Sequence, residues 1–143
     1  YDSDSPGPTV ISTATLQTVA DWFGISLLDA RRRFRTNLEI DGVPAFWEDL
    51  LFSETEDPVA FQMGAVTLQG INPCQRCVVP TRNPETGEAT PTFQKQFMQQ
   101  RSATLPANVA RSRFNHFYRL AVNTRVPAAA GKILKVGDPV FFL

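Results

Sequence analysis

Helical spacing of apolar residues predicts a helix near the start of the chain. Four apolar side chains recur at i, i+3, i+4 and i+7, which places them on one face of an α-helix. They are Leu16, Val19, Ala20 and Phe23. A helix is therefore predicted over Thr15–Phe23, with Gly24 placed to end it. Thr92 is placed to cap a second helix, which is predicted over Thr92–Arg101. Ser26 and Asp29 have the spacing of a capping box, which indicates a short additional helical turn.

A period of two begins at residue 33 and predicts a β-strand that ends before the turn Asp41-Gly42. Successive side chains of a strand point to opposite faces, so the alternation gives one largely apolar face and one polar face. The predicted apolar face consists of Phe34, Thr36, Leu38 and Ile40. The predicted polar face consists of Arg33, Arg35, Asn37 and Glu39.

Short apolar runs separated by Gly and Pro predict several more strands. They lie in TVI, FQMGAVTLQGI, RCVVPT and RFNHFYRLAV, and ILKVGDPVFFL is predicted to be a final hairpin about Gly137-Asp138. Many short strands with few helices are typical of a mainly β fold, so we expect a β-barrel domain with a few flanking helices. A length of 143 residues without an internal repeat fits one domain.

Composition narrows the classes of function. The 14 basic and 14 acidic side chains give a formal net charge of zero, which argues against a dedicated nucleic-acid binder. No apolar run approaches the roughly 20 residues of a membrane-spanning helix. Two cysteines are too few for a disulfide-rich secreted scaffold, so a reducing, cytoplasmic setting is expected. The chain opens without an initiator Met, and we expect it to be a piece of a longer protein.

The two cysteines, Cys74 and Cys77, form a C-x-x-C motif that allows three interpretations. A zinc site would need two further Cys or His ligands, but the chain has no other cysteine and a single histidine. A redox dithiol normally lies at the start of a helix, whereas Cys77 leads into VVPT, which is predicted to be a strand. Free cysteines are also often small buried hydrophobic residues.

Three further features could bind an anion or take part in chemistry. The guanidiniums and the amide on the polar face of the predicted strand form a row of hydrogen-bond donors suited to phosphate. The alternative is that this face lies in solvent and its arginines form salt bridges with acidic side chains. Two interpretations fit the hydroxyls of STATL, before the first predicted helix: they bind an anion, or they only cap the helix. His116 is interpreted as a packed or surface histidine rather than a catalyst.

The ordered set of motifs resembles the MOSC domain family, named for the C-terminal part of molybdenum cofactor sulfurases. RFRTNLEIDG resembles the family pattern R-F-R-P-N before a D-G turn, and PCQRC resembles P-C-x-R-C. NPETGE resembles the turn D-P-x-T-G, VGDPV resembles the ending V-G-D-x-V, and VISTATL resembles the helix start S-x-A-S-L. We therefore expect residues 1–143 to form one MOSC domain, with the N-terminal β-rich domain of family enzymes absent from the chain.

The resemblance implies a β-barrel that binds a molybdenum cofactor of the molybdopterin type. Cys77 matches the cysteine that ligates molybdenum in amidoxime-reducing relatives, so it is the expected catalytic and metal-binding residue. Arg35 and Asn37 match residues of the family that help hold the cofactor. The complete set of expected cofactor-binding residues is Arg35, Asn37, Ser12, Thr13 and Arg33. The family is also associated with pyridoxal phosphate binding.

The expected reaction is the reduction of N-hydroxylated or N-oxygenated small molecules at molybdenum, within a longer oxidoreductase. Electrons would come from a separate reductase or iron–sulfur domain, and neither nucleic acid nor a membrane is an expected partner. A sulfur-carrier or sulfurtransferase role in cofactor sulfuration is one alternative, with a persulfide on Cys77 or Cys74. A non-catalytic module that binds an anion or a cofactor is another.

The expected geometry follows from these assignments. Arg35 and Asn37 should face the same pocket as Cys77, with the hydroxyls at the start of the first helix near its rim. Cys77 should be the reactive thiol because it faces that pocket. Cys74 should be structural, and no disulfide should join the two cysteines.

Overall fold

Residues 7–143 are described by a computed structural model, in which a six-stranded sheet packs with three α-helices. The elements in chain order are β1 (Thr9–Ser12), α1 (Thr13–Phe23), α2 (Leu27–Phe34), β2 (Leu38–Ile40), β3 (Val59–Met63), β4 (Val66–Gln75), α3 (Phe93–Thr104), β5 (Arg119–Arg125) and β6 (Val140–Phe142). Short 3-10 helices span Trp47–Leu51, Val79–Thr81 and Arg111–Arg113.

The sheet has the strand order β2-β1-β5-β4-β3-β6 and curls into a half-barrel. β1 and β2 are parallel, and the other neighbouring pairs are antiparallel. β4 changes register against β5 between Gly70 and Asn72 and again between Pro73 and Gln75, and such bulges bend and twist a strand. A Cβ at Gly70 would lie 1.7 Å from the carbonyl oxygen of Leu51, so only glycine allows this close approach. The predicted β-barrel fold with a few flanking helices is confirmed.

The capped helices agree with the sequence pattern. The Ser12 side chain accepts a hydrogen bond from the Thr15 N–H at 3.1 Å and so begins α1. Gly24 ends α1 in the left-handed conformation, with φ 61°. The helices predicted over Thr15–Phe23 and Thr92–Arg101 are confirmed as α1 and α3. α1 begins two residues earlier than expected, and the Thr92 side chain makes no capping hydrogen bond to α3.

The predicted strand over residues 33–40 is wrong in its first half. Ser26 accepts a hydrogen bond from the Asp29 N–H at 3.0 Å, and this cap begins a helix that continues through Phe34. Ala30 and Phe34 are buried one helical turn apart, so helical spacing prevails over the alternation that begins at Arg33. The next residue is left-handed, with φ 50°, and only residues 38–40 form a strand.

Three other predicted strand segments differ from the expectation. β4 ends at Gln75, and the predicted strand RCVVPT does not form: Val79–Thr81 is a 3-10 helix, and Pro80 has no N–H to continue a strand ladder. His116 precedes β5, where its Nδ1 accepts a hydrogen bond from the Tyr118 N–H at 3.3 Å in a local turn. The C-terminal segment is not a hairpin, since β6 pairs with β3.

The two faces of the sheet pack against separate cores. Val10 and Ile11 are neighbours on β1 and both are fully buried, yet alternation sends them to opposite faces. Val10 packs in a cluster with side chains of β3 and β4, whereas Ile11 packs in a cluster with α1, α2 and α3. This arrangement holds the helices against one face of the curled sheet.

A buried ion pair links α3 to the 3-10 helix at residues 47–51. Nη2 of Arg101 donates to both carboxylate oxygens of Asp49 at 2.7 Å, and neither side chain is more than 1% exposed. The guanidinium lies 4.5 Å from the ring centre of Phe46 and 5.0 Å from that of Phe114, and its Nε donates to the Arg119 carbonyl at 3.2 Å. Burial raises the pKa of Asp49, and the charge and hydrogen bonds of Arg101 oppose that rise.

Replacing Arg101 with Met should lower the free energy of unfolding by about 3–5 kcal/mol, because Asp49 would be left buried without its partner. Urea denaturation measures the loss. The control is Glu39→Gln, which breaks the accessible pair with Arg31 (2.7 Å) and should cost less than about 1 kcal/mol. Equal losses in the two variants would contradict a special role for the buried pair.

Glu48 is a second buried carboxyl, only 1% exposed, and neither of its oxygens has a hydrogen-bond partner among the described residues. Burial raises its pKa, and the neighbouring charge of Asp49 adds to the rise. The folded protein therefore holds a proton on Glu48 at a pH where the unfolded chain has lost it.

The free energy of unfolding should consequently fall as the pH rises above 4.5, the ordinary pKa of this carboxyl, until Glu48 ionises in the folded state. Glu48→Gln should reduce this slope, since an amide carries no charge at any pH. Urea denaturation at a series of pH values measures it, with Glu54→Gln as the matched exposed control. An unchanged slope in Glu48→Gln would exclude this source of the pH dependence.

Candidate functional site

A cavity of about 700 Å³ opens where the end of β4 meets β1 and β5. Its described lining contains thiols, amides and guanidiniums, and no Asp or Glu is among it. The lining residues are Gly7, Thr9, Asn37, Asn72, Cys74, Gln75, Arg76, Cys77, Arg119 and Asn123. The wall therefore offers hydrogen-bond donors and positive charge together with sulfur.

Cys74 and Cys77 both reach this cavity as free thiols, but in different surroundings. Cys77 is exposed, and its carbonyl accepts a hydrogen bond from the Tyr118 hydroxyl at 3.0 Å. Cys74 is half-buried against the core that packs the helices, and its Sγ accepts a hydrogen bond from Nη1 of Arg76 at 3.5 Å. Cys77 is thus the more accessible sulfur, although the strand geometry that predicted this orientation does not form.

Arg76, between the two cysteines, connects the cavity to α2. Its backbone N–H donates to the Tyr118 carbonyl at 3.0 Å, so the segment after β4 stays attached to the chain that enters β5. Its Nη2 donates to the Phe34 carbonyl at the end of α2, and its guanidinium lies 5.5 Å from the Phe34 ring centre. Its Nε is buried and has no hydrogen-bond partner among the described residues.

Arg119, the first residue of β5, supplies the second guanidinium of the cavity. Nη1 donates to the Pro73 carbonyl at 2.8 Å, while Nη2 and Nε donate to Asn115 Oδ1 at 2.8 and 3.2 Å. Burial lowers its pKa, the neighbouring Cys74 opposes that shift, and the positive charge of Arg113 adds to it. Sequence reasoning missed Arg119 as a site residue, although it lies within the predicted strand RFNHFYRLAV.

Asn37 is the cofactor-binding candidate that the structure brings to the cavity beside Cys77. Its Oδ1 accepts hydrogen bonds from the N–H and the hydroxyl of Thr9, at 2.9 and 3.0 Å. In return, the Asn37 N–H donates to the Thr9 hydroxyl at 3.2 Å. This pairing holds the residue before β2 against the first residue of β1.

The other four candidates are not among the residues that line the cavity. Arg33 is buried within α2, where it contacts Asp29 and the Pro80 carbonyl, so its expected place on a polar strand face is wrong. Arg35 is exposed at the end of the same helix. Ser12 is fully buried as a helix cap, and the hydroxyl of Thr13 donates to Glu39 at 2.8 Å.

The fold and the cavity define a small β-barrel domain that presents thiols and cationic donors at one end of its sheet. The chain belongs to the MOSC domain family, whose family model matches residues 8–141. No curated protein matches the chain. Along residues 7–143, none of the helices is long and apolar enough to cross a membrane.

The exposure of the two thiols predicts different rates of alkylation. Cys77 should react with iodoacetamide several-fold faster than Cys74, because Cys77 is exposed whereas Cys74 is half-buried. Mass spectrometry of peptides from briefly labelled native protein measures the two rates. The rates should converge in urea, and faster labelling of Cys74 in the native protein would contradict the assignment.

Proposed function

We propose that the cavity binds a molybdenum-containing pterin cofactor and that Cys77 is the protein's ligand to the metal. The MOSC family is associated with this cofactor. The observation that carries the proposal is the exposed thiol of Cys77 at a cavity whose described lining includes no carboxylate. A thiolate is a soft ligand suited to a metal already bound by sulfur.

The residues of the cavity fit such a group in size and in chemistry. A volume of about 700 Å³ lies within the range of small-molecule sites. The buried Nε of Arg76 is a donor without a described partner, and the amides of Asn37 and Gln75 add hydrogen-bonding groups for a polar ring system. Residues 7–143 hold no cluster of three or more His, Cys, Asp or Glu side chains that could bind a metal, so a cofactor would have to supply most of the ligands.

When bound, the cofactor would supply two-electron redox chemistry, which the domain would use to reduce N-hydroxylated or N-oxygenated small molecules. Cys77 would fix the metal at the open side of the cavity, where a substrate can approach. Arg76 and Arg119 would balance negative charge on the ligand. The half-buried Cys74 would stay in the wall, and electrons would come from a separate reductase or iron–sulfur domain.

Sulfur transfer is the second candidate, and the presence of both thiols at one cavity favours it. A persulfide on Cys77 would be accessible to an acceptor, and Cys74 lies close enough in sequence to share the same solvent opening. A non-catalytic module that binds an anion or a cofactor would use the same guanidiniums without either thiol reacting.

Metal and pterin analysis of the full-length protein separates these functions. Stoichiometric molybdenum and pterin support the proposal, whereas a cysteine persulfide without molybdenum supports sulfur transfer. Affinity for a pterin or for phosphate, with neither molybdenum nor persulfide, supports the binding module.

Cys77→Ser should remove bound molybdenum and molybdenum-dependent activity from the full-length protein, because serine replaces the soft ligand by a hard one. Cys74→Ser is the matched control and should retain most of both. It should lose some stability, because a hydroxyl replaces a sulfur that packs against the core. Loss of molybdenum from Cys74→Ser, with retention in Cys77→Ser, would reverse the two roles.

A further inference from the structure

The strand β6 forms one open edge of the curled sheet. Among the strands of the described residues, β6 comes last in the sheet order and pairs with β3. An open edge presents backbone N–H and C=O groups to solvent, and proteins usually protect such edges with charged side chains or by covering them. The three residues of β6, Val140, Phe141 and Phe142, carry no charge, so β6 does not have the first kind of protection.

Exposed apolar side chains concentrate around this edge. Eight large hydrophobic residues of the described chain are exposed, and five of them lie between residues 133 and 143. Single exposed apolar residues are ordinary on a soluble domain, whereas a group of them marks an interaction surface. The five are Ile133, Val136, Phe141, Phe142 and Leu143, each at least 45% exposed.

The hydrogen bonds to β3 define which backbone groups of β6 face outward. The Gly64 N–H donates to the Pro139 carbonyl at 2.9 Å, which directs the backbone of residue 139 toward β3. These directions alternate along an antiparallel strand, so the N–H and C=O of Phe141 also face β3. The N–H and C=O groups of Val140 and Phe142 therefore point to the open edge. β6 thus offers four backbone hydrogen-bonding groups to another strand.

A second copy of β6, running antiparallel, matches this edge. With Phe141 opposite Phe141 of the second copy, Val140 lies opposite Phe142 of that copy, and two-fold symmetry generates the reverse pair. Both of these pairs have backbones that face the partner, so each pair exchanges two hydrogen bonds and all four groups of each copy are satisfied. The central Phe141 pair is then of the non-hydrogen-bonded kind, in which side chains lie closest to each other.

The side chains of β6 also suit this pairing. Phe142 packs against Trp47 with the ring centres 5.2 Å apart, and alternation sends Phe141 to the other face of the sheet, beside Gln62. Two aromatic rings opposite each other on antiparallel strands stabilise the pairing. The edge strand β2 lacks this property, because the same arrangement would bring Glu39 of two copies together and like charges repel.

We propose that β6 is a homodimer interface, through which two copies of the chain join their sheets edge to edge about a two-fold axis at Phe141. The inference is independent of the proposed function, since none of the three β6 residues is in the described lining of the cavity. The paired strands are short, so we expect a reversible dimer with a micromolar dissociation constant.

Sedimentation velocity over a hundredfold range of concentration tests the interface in the purified chain and in the full-length protein. The dimer fraction should rise with concentration in both. Phe141→Glu should raise the dissociation constant at least tenfold, because two like charges would face each other at the axis. Phe141→Lys should do the same, and an equimolar mixture of these two variants should recover the dimer because opposite charges then meet. The control is Leu28→Glu, at an exposed apolar position on α2, which should dimerise as the unaltered chain does.

Circular dichroism and urea denaturation establish that each variant is folded. A monomer at every concentration, an equal loss in Leu28→Glu, or a mixture that does not recover the dimer would overturn the proposal. Dimers of the chain together with a monomeric full-length protein would also overturn it, because another part of the longer protein would then cover β6. If the charged variants do not fold, Phe141→Thr takes their place, since threonine favours strands and lacks the ring. An unchanged dissociation constant in Phe141→Thr would likewise overturn the proposal.

Discussion

The antiparallel pairing of β4 with β5 is the interaction on which the cavity depends. At its end Gln75 pairs with Arg119, which brings the segment of the two cysteines beside the start of β5. Three hydrogen bonds extend this contact beyond the ladder: from the Arg76 N–H to the Tyr118 carbonyl, from Tyr118 to the Cys77 carbonyl, and from Arg119 to the Pro73 carbonyl. The residues after β4 are thereby held in a defined path even though they leave regular strand structure. The two register shifts between β4 and β5 bend and twist the pair in the same part of the sheet that lines the cavity.

The arginines show how one side-chain type serves two purposes in a small domain. Arg101 and Arg33 are buried and meet carboxylates, aromatic rings and carbonyls, so their charges hold elements together. The cavity arginines instead donate to carbonyls, which fix the position of each guanidinium in the wall. Burying a guanidinium costs free energy. A carboxylate offsets that cost at Arg33 and Arg101, whereas carbonyls offset only part of it at Arg76 and Arg119.

Sequence patterns predicted the parts of the fold that are determined by interactions between residues close together in the chain. Apolar spacing and the stop at Gly24 predicted α1, α3 was expected from Thr92 although that residue makes no capping hydrogen bond, and the abundance of turns indicated a β-barrel. The alternation from Arg33 misled because the residues that alternate include both the end of α2, at Phe34, and all of β2, at residues 38–40. The buried contacts that place Phe34 in a helix come from elsewhere in the chain. Asn37 and Cys77 were found through their motifs. Arg119 was not, because its place beside Pro73 is created by strand pairing across 46 residues.

The cavity wall is assembled from four separate stretches of the chain: residues 7–9, residue 37, residues 72–77 and residues 119–123. No single stretch contains a complete site, so the unfolded chain has nothing equivalent to offer a ligand. Ligand binding and folding are therefore thermodynamically linked, because a ligand that binds only the folded protein lowers the population of unfolded chains. A ligand at ten times its dissociation constant would add about 1.4 kcal/mol to the free energy of unfolding. A larger supply of ligand would then raise the abundance of this domain in a cell, because a smaller fraction of the chains would be unfolded and open to proteolysis.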